Sequence, residues 1–580
     1  MLNKKDSGTA VEAAGDAQKI LEKCLDESKS FVFEAGAGSG KTYSLIEALK
    51  YLVDKKGLEF MSKGQHIACI TYTERAVAEI EGRIDKNKCV HVSTIHAFSW
   101  NLIKPFQTDL ISLIKSLNDK WTARSEGEEF TKVDYSQGYP YIKNGVAYLH
   151  HDDVIALTAI VLSKSKFRSV LASRFPVVLV DEYQDTNTDL VEAFKDYILS
   201  TNSKIILGFF GDHWQKIYAG CGLIEHENLV LIEKNSNFRS NQNVVDVLNA
   251  MRPSLQQSVS DDSRSGVTLL LHSNDWKGER RKGPHWAGDL PPEESDRYVN
   301  KIMAFLEREH GWDFNDIEET KILMLTQSVL AAKQGYPTIP TVFSRNEKFS
   351  KKEDPHISFL VDDLEVVIKL YHLKEYGKMM SLLKKRVDFT NPVKEKAEWA
   401  KFILELDELR SLGTVGEVID FLIDSKKIGV PQSVLAKEML LQHLSQGEET
   451  EERKKIEYLS LLRAVPYVEI IALTKYLNGY TPFSTNHGVK GEQYRDVLVV
   501  AGRGWNKFNF DKMIKWTAIP PPPDKVKGYE EGRNLFYVSC SRSKDNLVVF
   551  FSQLLSDESI DILKSWFGDS NVVSIDSIKS

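Results

Sequence analysis

A glycine-rich segment at 35–42, AGAGSGKT, carries the most specific chemistry in the sequence. It follows the apolar run SFVFEAG and precedes the helical pattern YSLIEALKYLV, which places it between a strand and a helix. In such a loop the backbone N–H groups surround a β-phosphate, a lysine reaches the β- and γ-phosphates, and a hydroxyl ligates Mg²⁺. The alternative is a glycine-rich turn without a ligand. The predicted phosphate-binding residues are Ala35, Gly36, Ala37, Gly38, Ser39, Gly40, Lys41 and Thr42.

Two adjacent acids supply the second half of such a site. Asp181 and Glu182 end the apolar run of FPVVLVDE at 175–182. One carboxylate at a strand end can hold Mg²⁺, and its neighbour can orient and deprotonate an attacking water. Two acids at a strand end can also be a solvated cap. Beside a phosphate loop, however, they predict Asp181 as a metal ligand together with Thr42, and Glu182 as a general base.

These side chains need a parallel sheet to position them, and the sequence contains two sets of suitable strands. Continuous apolar runs that alternate with helical patterns predict parallel sheets covered on both faces. The first set lies at 30–36, 67–71, 176–182 and 204–212, and the second at 266–272, 321–326, 496–502 and 546–551. We therefore predict an α/β fold with two sheet units.

Two stretches with a helical rather than a strand-like sequence pattern interrupt these units. Residues 97–166 are mostly helical in pattern and end in a polar cluster at 150–153, which we interpret as a loop or helix start rather than a metal site. Residues 346–476 are almost wholly amphipathic helix. The predicted parts are a first sheet domain (1–96 and 167–255), a helical insertion (97–166), a second sheet domain (256–345 and 477–580) and a helical accessory domain (346–476).

The composition limits the classes of protein that this chain can be. With Lys+Arg 75 and Asp+Glu 82 among 580 residues, the formal net charge is −7. This excludes nucleic-acid binding through bulk positive charge, so any such binding must use a local groove. No apolar run approaches the roughly 18 residues of a membrane span. The N-terminus lacks a secretory pattern and the five cysteines lack metal-ligand spacing, which predicts a protein of the reducing cytoplasm without a membrane partner.

A series of further motifs resembles the superfamily-1A DNA helicases of the UvrD/Rep type. The segment DEYQDTN at 181–187 is similar to that family's DExQDTN, GDHWQKIY at 211–218 to GDxxQxIY, and NFRS at 237–240 to NYRS. Other matches are IACITYTERAVAEI at 67–80, VSTIHAF at 92–98, STNHGVKGEQY at 484–494 and YVSCSRS at 537–543. The resemblance implies UvrD-like architecture, with two RecA-like motor domains that carry helical insertions, and ATP and Mg²⁺ as cofactors.

The resemblance also implies roles for individual residues. Gln215 would sense the γ-phosphate, Arg239 would contact it, and Arg542 would be the arginine finger. Gln18 would read the adenine edge, Phe238 would stack on the base, and Gln493 replaces the family's ribose-binding Glu. The catalytic set is Lys41, Asp181, Glu182, Gln215, Arg239 and Arg542. The DNA-binding set is Thr71, Tyr72, Thr94, His96, Tyr218 and His487.

Besides Gln493, the chain departs from the family in two places. Gly220 stands where a tryptophan commonly stacks on DNA, which leaves Tyr72, Tyr218 and the less certain Trp214 as base platforms. For Tyr72 the alternative is ordinary packing. The sequence after Arg542 is too short for a long strand-separating hairpin or a nuclease domain. The aromatic segment 502–516 could supply a wedge, although a core cluster is the simpler interpretation.

The function implied by the resemblance is an ATP-dependent translocase or helicase that single-stranded DNA stimulates. It would move 3′→5′ on single-stranded or tailed DNA, in anti-phage defence or DNA repair. Compact proteins of this kind resemble the helicase subunits of Gabija-type anti-phage systems, whose partner is an OLD-family (TOPRIM) nuclease. The alternative is a DNA- and nucleotide-sensing ATPase subunit that regulates such a nuclease and unwinds little itself. A transporter ATPase or kinase would not explain the motif series.

Overall fold

The first half of the chain builds a parallel sheet with an insertion. The computed structural model describes residues 10–136, 140–201, 203–217, 220–260, 265–283, 286–324, 330–331, 333–343, 347–383, 392–444, 451–479, 481–484, 491–503 and 508–579. In chain order the first elements are α1 (Ala10–Asp26), β1 (Ser30–Ala35), α2 (Lys41–Ser62), β2 (Ile67–Thr71), α3 (Glu74–Arg83), β3 (Val90–Thr94), α4 (Ile95–Ile103), α5 (Gln107–Ile114), α6 (Asp119–Ser125), β4 (Lys132–Tyr135), β5 (Tyr141–Lys143), β6 (Val146–Leu149), α7 (His151–Leu162), α8 (Ser165–Arg174), β7 (Val177–Asp181), α9 (Thr188–Phe194), β8 (Ile206–Gly211), β9 (Leu229–Lys234), β10 (Ser236–Asn237), α10 (Gln242–Met251) and β11 (Ser258–Val259).

The first large sheet has six parallel strands in the order β3-β2-β7-β8-β1-β9. Strand β1 lies between β8 and β9, and β7 lies between β2 and β8. Separate apolar cores cover the two faces of the sheet. Because all strands run the same way, the phosphate loop after β1, Asp181 after β7 and Asp212 after β8 share one edge.

The second half of the chain builds another parallel sheet and a bundle of helices. Its elements are β12 (Thr268–His272), α11 (Pro292–His310), β13 (Thr320–Met324), α12 (Ile339–Val342), α13 (Glu347–Ser350), α14 (Pro355–Ser358), α15 (Glu365–His372), α16 (Tyr376–Leu382), α17 (Pro392–Leu412), α18 (Val415–Ser425), α19 (Gln432–Leu444), α20 (Glu451–Arg463), α21 (Tyr467–Leu477), β14 (Phe483–Ser484), β15 (Tyr494–Ala501), α22 (Phe510–Ala518), α23 (Val526–Cys540), β16 (Ser543–Phe551), α24 (Asp557–Phe567) and β17 (Val572–Ser574).

The second large sheet has the strand order β14-β13-β15-β16-β12-β17, and its pairs are parallel. Helices α12 to α21 share one apolar core of their own. The prediction of an α/β fold with two RecA-like parallel sheets and helical insertions is thus confirmed. The exact limits of the four parts stay a prediction.

The insertion at 97–166 contains strands that the sequence analysis missed. Strands β4, β6 and β5 form a three-stranded sheet, with β4 parallel and β5 antiparallel to β6. The sequence pattern predicted a mostly helical stretch and did not reveal this small sheet, because strands of three or four residues are too short to show an alternating pattern. The polar cluster is a helix start, as predicted. His150 caps α7, and its backbone N–H donates to Asp153 Oδ2 over 2.9 Å.

The helices and the cysteines of the chain both bear on the class of protein to which it belongs. Among the described helices, none combines the length and the apolar character needed to span a bilayer. All five cysteines are free thiols.

Candidate nucleotide and DNA site

The phosphate loop has the backbone that its glycines predict. Gly38 and Gly40 have φ values of 76° and 74°, in the left-handed region that favours glycine. A Cβ on Gly38 would lie 2.6 Å from Asn237 Oδ1, so a side chain could not fit there. The turn ends at Lys41, where the 22-residue helix α2 begins. The first N–H groups of α2 are free, and the N-terminal end of this helix is the positive end of its dipole. Together they make the loop a site for an anion.

Lys41 and Glu182 form an ion pair across the loop. Their Nζ and Oε2 atoms are 2.6 Å apart. Burial lowers the pKa of Lys41, but the Glu182 and Asp181 carboxylates outweigh this effect and raise that pKa above its ordinary value. Glu182 has a φ of 51°, which is unusual for a residue with a side chain. A nucleotide phosphate that engages Lys41 would therefore replace Glu182 as its partner.

Asp181 offers a buried oxygen suited to a cation. Within the described part of the chain, Oδ1 of Asp181 has no hydrogen-bond partner. Burial raises the pKa of this carboxyl to about 6, although the charge of Lys41 opposes the shift. An unpartnered buried carboxylate oxygen beside a phosphate loop fits Mg²⁺, which prefers oxygen ligands. Thr42, the second predicted ligand, lies in the first turn of α2.

Two arginines from distant segments converge near the phosphate loop. Nη2 of the buried Arg542 donates to Gln215 Oε1 over 3.1 Å, and Gln215 Nε2 donates to Asp212 over 2.8 Å. Arg239 donates through Nε to Gln493 Oε1 over 3.0 Å. Burial and the neighbouring charge of Arg542 lower the pKa of Arg239 to about 9, and burial lowers the pKa of Arg542 to about 10. One buried and one partly buried cation that repel each other favour an anionic ligand between them.

Phe238, which is expected to stack on the base, lies against the phosphate loop. The Phe238 backbone N–H donates to the Gly38 carbonyl over 2.8 Å, and the Phe238 ring is 47% exposed. A Cβ built on Gly40 would lie 3.8 Å from that ring. Gln18 lies on α1, which packs against β9 and β10, and it donates to Glu22. Phe238 is thus exposed enough to be reached by a base.

The described DNA-binding candidates share the edge of the first sheet. Thr71 and Thr94 end strands β2 and β3 and are direct partners in the register. Tyr72 follows Thr71 and is 46% exposed, as a stacking ring requires. The His96 ring lies 4.7 Å from that of His151, and burial together with the charge of His151 lowers the pKa of His96. Tyr218 and His487 lie outside the described residues.

Comparison with known proteins agrees with this geometry. The family described as "AAA domain" matches residues 18–221. A "Gabija protein GajB" of Bacillus cereus (strain HuB5-5) is 24% identical to this chain over 98% of both chains. A second GajB, of strain VD045, is 27% identical over 37% of this chain and 43% of its own length. The "ATP-dependent DNA helicase Rep" of Salmonella typhimurium is 24% identical over 37% of this chain and 40% of its own length.

The chain resembles the UvrD/Rep-like helicases. Its sequence supports a helicase or ATPase role. The match to Rep covers only about two fifths of that protein, whereas the match to the first GajB runs nearly from end to end. The UvrD/Rep-like assignment and the two parallel sheets agree.

One predicted DNA platform of this UvrD/Rep-like protein is wrong. Trp214 is buried, with the guanidinium of Arg533 4.0 Å from its ring and that of Arg252 5.4 Å away. The Tyr537 ring packs edge-on at 5.3 Å. Trp214 therefore has no face for a DNA base. Gly220 cannot carry the family's tryptophan either, because a Cβ there would lie 2.2 Å from the Gln184 carbonyl.

Trp214 instead connects the Gln215 loop to the helix that leads to Arg542. Arg533 and Tyr537 both belong to α23, which ends two residues before Arg542. In addition, Asn534 Nδ2 donates to the carbonyls of His213 and Lys216, over 2.9 and 3.2 Å. The loop that carries Gln215 in the first sheet unit is thus attached to the second sheet unit by aromatic and hydrogen-bond contacts.

We expect Trp214→Ala to reduce DNA stimulation of ATP hydrolysis about tenfold with ATP affinity nearly unchanged. The variant detaches the Gln215 loop from α23 but leaves the phosphate loop intact. The measurement is the ratio of hydrolysis rates with and without single-stranded DNA. Trp214→Phe, which retains a ring between the arginines, is the matched control. An unchanged ratio in Trp214→Ala would contradict this coupling role.

A buried ionic network below the site escaped the sequence analysis. Arg252 pairs with Asp212 Oδ1 over 2.7 Å and with Glu34 Oε2 over 3.2 Å. Glu34 also accepts from Tyr183 and lies 3.0 Å from His213. Glu34, Asp212 and His213 have ligand atoms close enough for a metal, but the guanidinium already compensates both carboxylates. Arg252 lies 40 residues from Asp212 and 218 residues from Glu34 in the sequence, so no local pattern signals the network.

We expect Arg252→Met to lower the free energy of unfolding by about 3 kcal/mol, because two buried carboxylates would lose their counter-charge. Chemical denaturation followed by circular dichroism measures the change. The control is Arg297→Met, which removes a surface pair with Glu294 of the same 2.7 Å length and should cost at most about 1 kcal/mol. Equal losses in the two variants would show that burial of the network is unimportant.

The described aromatic side chains at 508–510 pack in or against the core. Phe510 is fully buried and stacks with Phe508 at 6.3 Å between ring centroids. The core interpretation is confirmed for these two rings. Trp505 lies outside the described residues.

Proposed function

We propose that this protein is an ATP-driven translocase or helicase that single-stranded DNA stimulates and that moves 3′→5′. One observation carries the proposal: Arg542 of the second sheet unit donates a hydrogen bond to Gln215 of the first. This contact lies at the sheet edge that also holds the phosphate loop and Asp181. Such an arrangement makes the state of the nucleotide sensitive to the relative position of the two units. The polarity is inferred from the likeness to Rep.

The residues suggest an order of events at the phosphates. Incoming ATP draws Lys41 away from Glu182, whose carboxylate is then free to orient water and accept its proton. Mg²⁺, held by Thr42 and Asp181, would neutralise charge on the β- and γ-phosphate oxygens. Arg239 and Arg542 would stabilise the charge that develops on the transferred phosphoryl group. Lys41 and the two arginines thus approach the phosphates from different segments of the chain.

DNA would lie along the edge formed by Thr71, Tyr72, Thr94 and His96. Hydroxyl groups and an exposed ring at strand ends suit a single strand, since base stacking contributes roughly 1–3 kcal/mol per base without sequence preference. Closure of the two units on ATP and reopening after hydrolysis would move this edge relative to the second sheet. Alternating grip on one strand then gives stepwise translocation.

Unwinding of tailed duplexes tests the polarity. A duplex with a 3′ single-stranded tail should be unwound in an ATP-dependent reaction, whereas a 5′-tailed or blunt duplex of the same sequence should remain paired. Preference for the 5′ tail would overturn the 3′→5′ assignment. Glu182→Gln, tested in parallel, shows whether unwinding needs hydrolysis.

A second candidate function is favoured by the end-to-end likeness to a Gabija GajB protein. In this proposal the chain is a DNA- and nucleotide-sensing ATPase of the cytoplasm that regulates an OLD-family (TOPRIM) nuclease in anti-phage defence, rather than a DNA-repair helicase. Co-expression with the product of the neighbouring gene should then yield one complex on gel filtration. Robust unwinding by the isolated chain, together with no co-purification, would contradict this candidate.

A further inference from the structure

A lysine that no motif predicts lies behind the phosphate loop. Lys234 ends strand β9 and is only 1% exposed. Its Nζ donates to the Ser44 hydroxyl over 2.9 Å and to the Gly40 carbonyl over 3.2 Å. Gly40 is the residue at which the loop turns into α2, so the lysine holds the loop at its last peptide.

The charge of this lysine is not balanced by the protein. Within the described residues no carboxylate pairs with Lys234, and burial alone lowers its pKa to about 8. The ammonium also lies beside the positive end of α2, which adds repulsion. A buried cation normally has a counter-charge, because an uncompensated one is costly. An anion at the loop would supply it.

Other charged groups near Lys234 are engaged elsewhere. Glu233 is exposed and, as the preceding residue of a strand, points to the opposite face. Lys41 pairs with Glu182, and Arg239 donates to Gln493 and to the Ser541 carbonyl. The Phe238 ring also lies near, with its centroid 5.8 Å from Nζ. Lys234 is therefore located between the loop and the ring expected to stack on the base.

We propose that Lys234 is a positioning residue for the nucleotide's diphosphate. By holding the Gly40 carbonyl, the ammonium turns the Gly40–Lys41 peptide so that its N–H faces the phosphates, and it adds a positive charge behind them. This role rests on the proposed function, in which the loop binds ATP. It differs from the roles of Arg239 and Arg542, which concern the γ-phosphate, because Lys234 acts on ATP and ADP alike.

The test is nucleotide affinity, measured by calorimetry on the full chain with ATP under non-hydrolysing conditions and with ADP. Lys234→Met should weaken both nucleotides about tenfold and raise KM for ATP to a similar extent, while kcat at saturation stays within about twofold. Lys50→Met, at an exposed lysine of α2 that pairs with Glu47, should bind as the unchanged protein does. Equal affinities in Lys234→Met and the unchanged protein would overturn the proposal.

The pH dependence of ADP affinity is a second measurement, and a merely structural role for Lys234 would not change it. Its main part uses the unchanged protein. Free Lys234 is charged below about pH 8 and neutral above it, so ADP affinity of the unchanged protein should fall as pH rises from about 7 to about 9.5. Lys234→Met should show a flat profile. A flat profile in the unchanged protein would also overturn the proposal. Absence of any ATP or ADP binding by the unchanged protein would instead refute the proposed function.

Discussion

Glu182→Gln is expected to lower kcat for ATP hydrolysis by about 10³-fold and to leave ATP binding as tight as before, or tighter. The loss follows from the removal of the general base, which contributes roughly 10²–10⁴-fold in other enzymes. The retained binding follows from the 2.6 Å pair between Lys41 and Glu182. A neutral glutamine no longer competes with the phosphates for Lys41, so the nucleotide gains the whole charge of the lysine.

Steady-state hydrolysis and calorimetric ATP titration together measure this result. The control is Glu59→Gln on the surface of α2, where Glu59 pairs with Lys63 over the same 2.6 Å. That variant should hydrolyse ATP at the normal rate. If Glu182→Gln lost affinity in proportion to activity, Glu182 would be a binding residue and its assignment as base would be wrong.

Arg542→Ala is expected to lower kcat by about 10³-fold with little change in ATP affinity. An arginine that stabilises the transferred phosphoryl group contributes roughly 10³–10⁵-fold to the rate. In this structure Arg542 also donates to the Val538 and Glu492 carbonyls and to Gln215, so the alanine leaves acceptors unpaired. A moderate loss of thermal stability should therefore accompany the loss of activity.

Single-turnover hydrolysis separates the chemical step from release of products in this variant. Arg542→Lys retains the positive charge but not the planar guanidinium with its several N–H donors. It should therefore recover less than about a tenth of the single-turnover rate of the unchanged protein. Arg297→Ala, at an exposed arginine, serves as the control for removing a guanidinium. Normal single-turnover rates in Arg542→Ala would remove this residue from the catalytic set.

The phosphate loop and the acids of the DEYQDTN segment were predictable because their chemistry depends on neighbours in sequence. Glycines that adopt left-handed backbone, a lysine at the helix start and acids at a strand end each leave a local pattern. The parallel sheets were predictable for the same reason, since buried strands are continuous apolar runs.

Other features depend on partners that are remote in sequence. Trp214 looked like an exposed stacking ring, but α23, more than three hundred residues later, covers it. Lys234 ends an ordinary edge strand, and only the fold brings it to Gly40, 194 residues away. Arg252 likewise meets Glu34 only through the packing of α10 below the sheet. No local pattern encodes such contacts.

The central claim is that this protein couples ATP hydrolysis to single-stranded DNA. The most direct measurement is the initial rate of ATP hydrolysis in a titration with single-stranded DNA, alongside a blunt duplex and a sample without DNA. The structure predicts a saturable increase of at least about tenfold with the single strand, weakened by added salt, and little response to the blunt duplex. Equal rates with and without single-stranded DNA would contradict the claim.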